Sequence, residues 1–238
     1  MHTNLSLFLT TEHPCGYYAG RRTANLVPDP RVAMQASLYG QLVAHGFRRS
    51  GGHVYRPHCA QCRDCIPCRI QVADFKPNRS QSRCLKRNSD LITHIKPASF
   101  SDEYFELYAQ YINQRHGDST MANPRPGDFS NFLLCDWSQS LFIESRLDGR
   151  LIAVAVSDFL PDGPSAVYSF FYPSENRRGL GTFAVLQQIW LARLYQRPHL
   201  YLGYWLKNHP KMHYKKNFSG LELFDGKVWR PNGDWPQE

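Results

Sequence analysis

Four cysteines fall at three-residue intervals, Cys59, Cys62, Cys65 and Cys68. Two residues between thiolates let the backbone curl until both sulfurs face one ion, so this spacing is metal-binding chemistry. Cys15, in the turn-like run Pro14-Cys15-Gly16-Tyr17, could complete such a site from a distance. Zinc and an iron–sulfur cluster both accept cysteine ligands, and spacing does not separate them. Buried or free thiols are the plain alternative, which so dense a cluster disfavours. The chain has seven cysteines, an odd number in a poor arrangement for a disulfide framework. Cys84 and Cys135 stand alone and read as core residues.

A second candidate is the loop Asn176-Arg177-Arg178-Gly179-Leu180-Gly181, which runs into a long helical pattern. Glycines let the backbone approach a ligand, and the first N–H groups of a helix attract an anion. Acetyltransferase-like (GNAT) domains hold the coenzyme A pyrophosphate in such a loop, which usually begins with Arg or Gln where this chain has Asn176. Glycines that only shape a tight turn, beside surface arginines, are the alternative. The third candidate joins Tyr201-Leu202-Gly203-Tyr204 to Lys211-Met212-His213-Tyr214-Lys215-Lys216. Aromatics interleaved with lysines suit stacking on a base while pairing with phosphate. A buried strand followed by a solvated basic segment fits the composition equally well. No nucleophilic triad, zinc-protease signature or Walker loop occurs.

The elements that would hold these residues read as an α+β order. Asp29 and Pro30 suit the start of a helix over Arg31 to His45, which Gly46 can end. Gly51-Gly52 reads as a turn between short strands near Phe47-Arg48 and His53-Tyr55. A strand near Cys68 to Val72 follows the cysteine loop, and another over Leu91 to Lys96 leads to Pro97. Ser101 caps a helix through Ile112, and a second helix is expected over Phe129 to Trp137. Leu141–Leu147 and Leu151–Leu160 form a hairpin through Asp148-Gly149, and Ala166–Tyr172 makes a third strand. A helix over Leu180–Tyr195 and a strand over Leu200–Tyr204 complete the order. Two units are expected, 1–97 and 98–238.

At 238 residues, 42% of them hydrophobic, the chain can bury an ordered core. No apolar run approaches the ~20 residues a membrane helix needs, and the first residues lack a signal-peptide pattern, so a cytoplasmic protein is expected. The net charge of +8 is uneven. Residues 21–96 hold fourteen Lys and Arg against four acids, a net +10, and the remainder is slightly acidic. Lys76 to Arg87 alone carries five cations and no acid. A polyanion such as RNA is the partner this asymmetry favours over a merely solvated face.

Taken together, the segments resemble the arginyl-tRNA–protein transferase family. Pro14-Cys15-Gly16-Tyr17, Gly46-Phe47-Arg48-Arg49-Ser50, Tyr55-Arg56-Pro57-His58-Cys59 with Cys62 and Cys65, and Ser80-Gln81-Ser82-Arg83 resemble its N-terminal domain. Tyr168-Ser169-Phe170-Phe171-Tyr172, Leu180-Gly181-Thr182-Phe183, Tyr201-Leu202-Gly203-Tyr204 and Met212-His213-Tyr214-Lys215 resemble its C-terminal domain. The resemblance spans nearly the whole chain and is nearest to the bacterial branch that transfers leucine to N-terminal aspartate or glutamate. The family carries a Cys-x2-Cys near its N-terminus where this chain has Cys15 followed by Tyr18, and Cys68 lies outside the shared pattern.

The resemblance implies a GNAT-like catalytic domain packed with a smaller cysteine-containing α+β domain, without coenzyme A. It implies leucyl-tRNA as donor, proteins beginning with Asp or Glu as acceptors, a role in marking proteins for degradation, and a monomer. The implied metal ligands are Cys15, Cys59, Cys62 and Cys65, with Cys68 in reserve, for a structural zinc or iron–sulfur cluster and no cofactor for the chemistry. Position and resemblance assign catalysis to Asp158 and Tyr204, and the acceptor's acid to Arg177, Arg178, Lys211 and Lys215. The aminoacyl slot falls to Phe170, Phe171 and Tyr168. tRNA contact falls to Arg48, Arg49, Lys76, Arg79, Arg83, Lys86 and Arg87. The rival readings are an arginyl-tRNA donor, an acetyl-CoA-dependent N-acetyltransferase and a metal-containing RNA-binding module.

Overall fold

The structure, a computed structural model, describes residues 5–117, 121–210 and 212–235. Short strands come first: β1 (Leu7–Leu9), β2 (His13–Pro14), β3 (Arg22–Thr23) and β4 (Asn25–Pro28). Helix α1 (Ala36–Ala44) then leads to β5 (Arg48–Ser50) and β6 (His53–Pro57). These make a four-stranded sheet in the order β1-β4-β6-β5 and a separate β2-β3 pair. Helix α1 starts five residues later than its caps suggest. The Asp29 carboxylate accepts from the Arg31 backbone N–H at 2.9 Å and from its guanidinium at 2.7–3.2 Å. Those bonds close a turn at Asp29, and the helix begins only after it.

The remaining elements build around one large sheet. They are β7 (Ile66–Gln71), α2 (Arg79–Arg87), β8 (Ile92–Pro97), α3 (Asp102–Arg115), α4 (Pro126–Leu133), β9 (Ser140–Leu147), β10 (Arg150–Leu160), β11 (Gly163–Phe171), α5 (Leu180–Leu194), β12 (His199–Trp205), β13 (Leu221–Phe224) and β14 (Trp229–Pro231). The eight-stranded order is β14-β13-β7-β12-β11-β10-β9-β8. The expected hairpin turn is present, with Asp148 at φ 49° and Gly149 at φ 83°, the left-handed pair that a two-residue hairpin needs. Ser101 caps α3 through the Tyr104 N–H at 3.3 Å, and Asn78 and Gln81 form a reciprocal capping box on α2. The helix expected over Phe129–Trp137 runs instead from Pro126, whose fixed φ suits a first turn, to Leu133.

The division expected at residue 97 does not follow the sheet. β7 precedes that point yet pairs with both β12 and β13, and β8 pairs with β9. Cys68 and Ile70 of β7 sit in the same core as Phe183, Leu186 and Leu202. A second core packs α3 and α4 on the opposite face, through Leu107, Ile112, Phe129 and Phe170.

Among the described residues, the one parallel neighbour pair is β11 and β12, joined through α5. Their register holds a single partner pair, Ser165 with Tyr201. Beyond it the strands part, and β12 carries a bulge between Tyr201 and Gly203 where it pairs with β7. A gap between two strands in mid-sheet leaves backbone groups to be satisfied by something other than a ladder.

Candidate active site

Arg48 and Arg49 are successive residues of a strand, so their side chains leave opposite faces. Arg49 enters the interior. Its Nε and Nη2 meet both oxygens of Asp158 at 2.6 and 2.7 Å, and Nη2 also reaches the Leu133 carbonyl and Ser140 Oγ at 3.0 Å. Both side chains of the pair are fully buried. Ser140 Oγ donates to Asp158 as well, at 2.7 Å. Asp158 is therefore no base for an incoming amine. It presents no surface, and its oxygens are held by a guanidinium and a hydroxyl. By the same geometry Arg49 is a strut between β5 and β10 and does not face tRNA.

Arg48 turns into the gap between β11 and β12. Its Nη2 donates to the Val167 carbonyl of β11 at 3.0 Å. On the other side lies Gly203 of β12, at φ 74°, where an added Cβ would come within 2.7 Å of Arg48 Nη1. A glycine is required there twice over, by its left-handed backbone and by the guanidinium against it. Arg48 Nε is buried and has no hydrogen-bond partner among the described residues. The Tyr204 ring stands 5.7 Å from the guanidinium carbon, and the Tyr55 ring lies 6.4 Å from that of Tyr204. Tyr17 completes the surround, its phenol pushed up to about 12 by burial while Arg48 pulls the other way.

Lys215 joins this centre from the 3-10 turn His213–Asn217. It is buried, and its Nζ donates to the Tyr204 carbonyl. Burial lowers its pKa to about 8; Cys68 opposes that shift and Arg48 adds to it. Neither Arg48 nor Lys215 enters an ion pair among the described residues. Tyr204 itself is 1% exposed, and its hydroxyl donates to the carbonyls of Gly46 and Tyr55 at 3.2 and 3.3 Å. That hydroxyl is a positioning contact between β12 and β6, its proton directed at backbone carbonyls.

An aromatic wall borders the same centre. The rings of Tyr111 and Phe171 are 4.8 Å apart, and Tyr168 stands 6.2 Å from Tyr111 and 5.0 Å from Phe132. The Tyr168 hydroxyl is buried without a partner. Tyr214 links the two features: burial pushes its phenol up to about 12, and both Arg48 and Tyr111 act on it. Phe170 is fully buried against Tyr108 and Phe129, on the face of β11 that Tyr168 shares, while Phe171 points to the other face.

The glycine loop before α5 is covered. Asn88 of the α2 end donates to the Arg178 carbonyl at 2.9 Å, and Cys84 Sγ lies 3.5 Å from the Gly179 carbonyl. Arg178 is spent on Asp90 at 2.8 and 2.9 Å and on Glu175 at 3.0 Å. It has no unpaired charge to lend an acceptor, whereas Arg177 is exposed. Lys211 lies outside the described residues. Lys76, Arg79, Arg83, Lys86 and Arg87 are all exposed along α2 and its approach, a basic stripe open to solvent.

The cysteine loop gathers four thiols. Burial pushes the Cys65 thiol up to about 12, and Cys15, Cys59 and Cys62 each add to the shift. Donors already point at the sulfurs: the Tyr17 N–H lies 3.4 Å from Cys15 Sγ, Thr23 Oγ1 lies 3.3 Å from Cys59 Sγ, and Arg21 donates to Cys62 Sγ at 3.7 Å. Among the described residues no three His, Cys, Asp or Glu side chains are closed to coordination distance. Cys68 sits apart, buried on β7.

Sequence reasoning gave Tyr17, Tyr55 and Tyr111 no role in the site, and Tyr214 entered only as part of the stacking run. One signal was available: a glycine within the aromatic strand Tyr201-Leu202-Gly203-Tyr204 marks a bulge or a close approach. The comparisons with known proteins agree with this architecture. The chain is 48% identical over 236 residues to an aspartate/glutamate leucyltransferase of Xylella fastidiosa (strain M12), covering 97% of this chain and 93% of that protein. It is 49% identical over 226 residues to an aspartate/glutamate leucyltransferase of Pseudomonas fluorescens (strain Pf0-1), covering 94% and 96%. The solved structure of FemX superposes with a TM-score of 0.51 at 10% identity, over 84% of this chain and 69% of that one, a likeness of fold alone. The model of the arginine-tRNA-protein transferase N terminus matches residues 13–83, and that of the C terminus matches residues 103–225. With both halves matched and full-length relatives this close, the chain belongs to the arginine-tRNA-protein transferase family.

Proposed function

We propose that this protein transfers leucine from leucyl-tRNA to the N-terminal α-amine of proteins that begin with Asp or Glu, and so marks them for degradation. The observation that carries the reading is near-half identity over almost the whole chain to relatives named aspartate/glutamate leucyltransferase. The amine nitrogen attacks the leucyl carbonyl carbon. The new amide bond forms as the ester bond to the terminal ribose breaks, and the proton lost by the amine is balanced by the one the ribose oxygen gains. The ester is already activated, so positioning two substrates is the main task. An α-amine has a pKa of ~7.7–8.0, which leaves a useful neutral fraction near neutral pH.

The α2 stripe supports a tRNA-facing surface, since exposed cations release counterions from a phosphate backbone. The wall of Tyr111, Tyr168 and Phe171 supports a leucyl slot beside the buried cations. Strands β9, β10 and β11, then α5 and a splayed parallel β12, support a GNAT-like C-terminal unit. Cys15, Cys59, Cys62 and Cys65 fit a zinc ion or iron–sulfur cluster by donor chemistry, since four thiols are gathered in one loop region and burial holds Cys65 protonated until a metal takes the place of its proton. Its place is structural, tying β2–β3 to the loop before β7. We read the protein as a cytoplasmic monomer; no helix among the described residues is long and apolar enough to cross a membrane.

The test offers leucyl- and arginyl-tRNA separately with peptides beginning Asp, Glu, Lys or Ala. Leucine is expected on the first two peptides alone. Transfer of arginine only, or leucine transfer blind to the first residue, overturns the reading.

A further inference from the structure

Among the described residues, two positive charges at the centre of the molecule lack a negative partner. Arg48 is wedged between the parting strands with its Nε unsatisfied. Lys215 is buried beside it, spent on one backbone carbonyl. Their principal titratable neighbours are the phenols of Tyr55, Tyr17, Tyr204 and Tyr39 and the thiols of Cys68 and Cys65, with no Asp or Glu among them. Burying one cation unpaired is costly, and burying two within each other's field is more so. Such an arrangement is stable in function only if an anion arrives.

The anion's size and kind follow from the surroundings. A tRNA backbone is long and would be met by exposed cations, and the α2 stripe supplies them at the surface. The Arg48 centre is recessed, with the phenols of Tyr55, Tyr17, Tyr204 and Tyr39 around its buried guanidinium. Only a short side chain reaches such a place. On Arg49 the Nε–Nη2 edge of the guanidinium grips the Asp158 carboxylate through two bonds. On Arg48 the same edge has its Nε unused and only a neutral carbonyl, that of Val167, at Nη2, and a carboxylate is the anion that matches the open Nε.

We propose that Arg48 and Lys215 form the receptor for the side-chain carboxylate of the acceptor's N-terminal Asp or Glu. The proposal rests on the transfer reaction above and names the residues that make it selective. It replaces Arg178, which internal acids already neutralise. Tyr214, next to Lys215 in sequence and acted on by both Arg48 and Tyr111, links the pair to the aromatic wall.

Wild type and the R48Q, R48K and K215M variants are assayed for leucine transfer to matched peptides beginning Asp or Asn, and Glu or Gln. In R48Q the KM for the Asp peptide should rise roughly 10- to 150-fold, the loss expected for a charged hydrogen bond. The Asp-to-Asn preference should collapse with it, while the KM for leucyl-tRNA stays within about twofold. R48K keeps the charge but not the fork and should fall between. A preference ratio within one variant does not depend on how much of it folds. An unchanged ratio in both R48Q and K215M overturns the proposal, as does a loss carried by the KM for leucyl-tRNA, which would assign the pair to RNA phosphate. Should wild type transfer no leucine, the reaction reading fails by itself. Calorimetry of Asp against Asn peptides on wild type and R48Q then still decides the receptor: binding indifferent to Asp or Asn, or to the substitution, sinks it.

Discussion

Arg48 and Arg49 leave one strand in opposite directions and end in opposite electrostatic states. Arg49 meets a carboxylate, a hydroxyl and a carbonyl, so every part of its charge is answered within the chain. Arg48 meets one carbonyl and four phenols, and part of its donor set stays idle. The first arrangement is closed and holds β5 to β10. The second is open and costs stability, which a protein tolerates where a substrate supplies the missing charge. The contrast separates a cation that builds the fold from one that awaits a ligand, a distinction that net charge cannot make.

Breaking the closed side should have the largest effect. D158A strands a buried guanidinium, and the loss should be about 3–5 kcal/mol by chemical denaturation, if the variant folds at all. Replacing both partners together, as R49M with D158L, should recover most of that loss, because two apolar groups leave no unpaired charge. Recovery of nothing would mean that the pair does more than join two strands.

On the open side the sign reverses. Lys215 has its pKa lowered to about 8 by burial, against an ordinary value of 10.5. The unfolded chain therefore binds the extra proton between those values, so stability should rise as pH climbs from about 8 to 10.5. Below pH 8 the burial cost is fully present, and removing the charge with K215M should stabilise by up to about 3 kcal/mol there. The gain should fade toward pH 10.5 in melts taken across the range. A K215M variant less stable at pH 7 than at pH 10 relative to wild type would show Lys215 to be paired after all.

The exposed cations offer a smaller, graded effect. R83A on the α2 stripe should leave the Asp-to-Asn preference intact and flatten the salt dependence of tRNA binding by roughly 0.7–0.9 in log–log slope. Smallest is N78A, which removes the capping box of α2 and should cost about 1 kcal/mol without touching selectivity.

Much of the architecture was legible in residue order. The Asp148-Gly149 hairpin, the Ser101 cap and the long helix before Leu200 depend on local chemistry and appear within a residue or two of their expected places. The site was legible only in its ingredients. Arg48, Lys215, Tyr168 and Tyr204 were all singled out, yet Arg48 was assigned to tRNA and Tyr204 to catalysis. Asp158 looked like a free acid before a turn because sequence carries no sign that Arg49, more than a hundred residues earlier, lies against it. The Arg178 loop looked ligand-ready because nothing local says that α2 covers it.

The cysteine spacing, the basic segment and the paired motifs are written along the chain. They determine by themselves that thiols cluster, that a polyanion is favoured and that a transferase family is at hand. Which cations are answered and which are left open is decided by tertiary structure alone. Strand alternation sends neighbouring arginines to opposite faces, and only the assembled sheet fixes that one meets Asp158 while the other meets the gap beside Gly203.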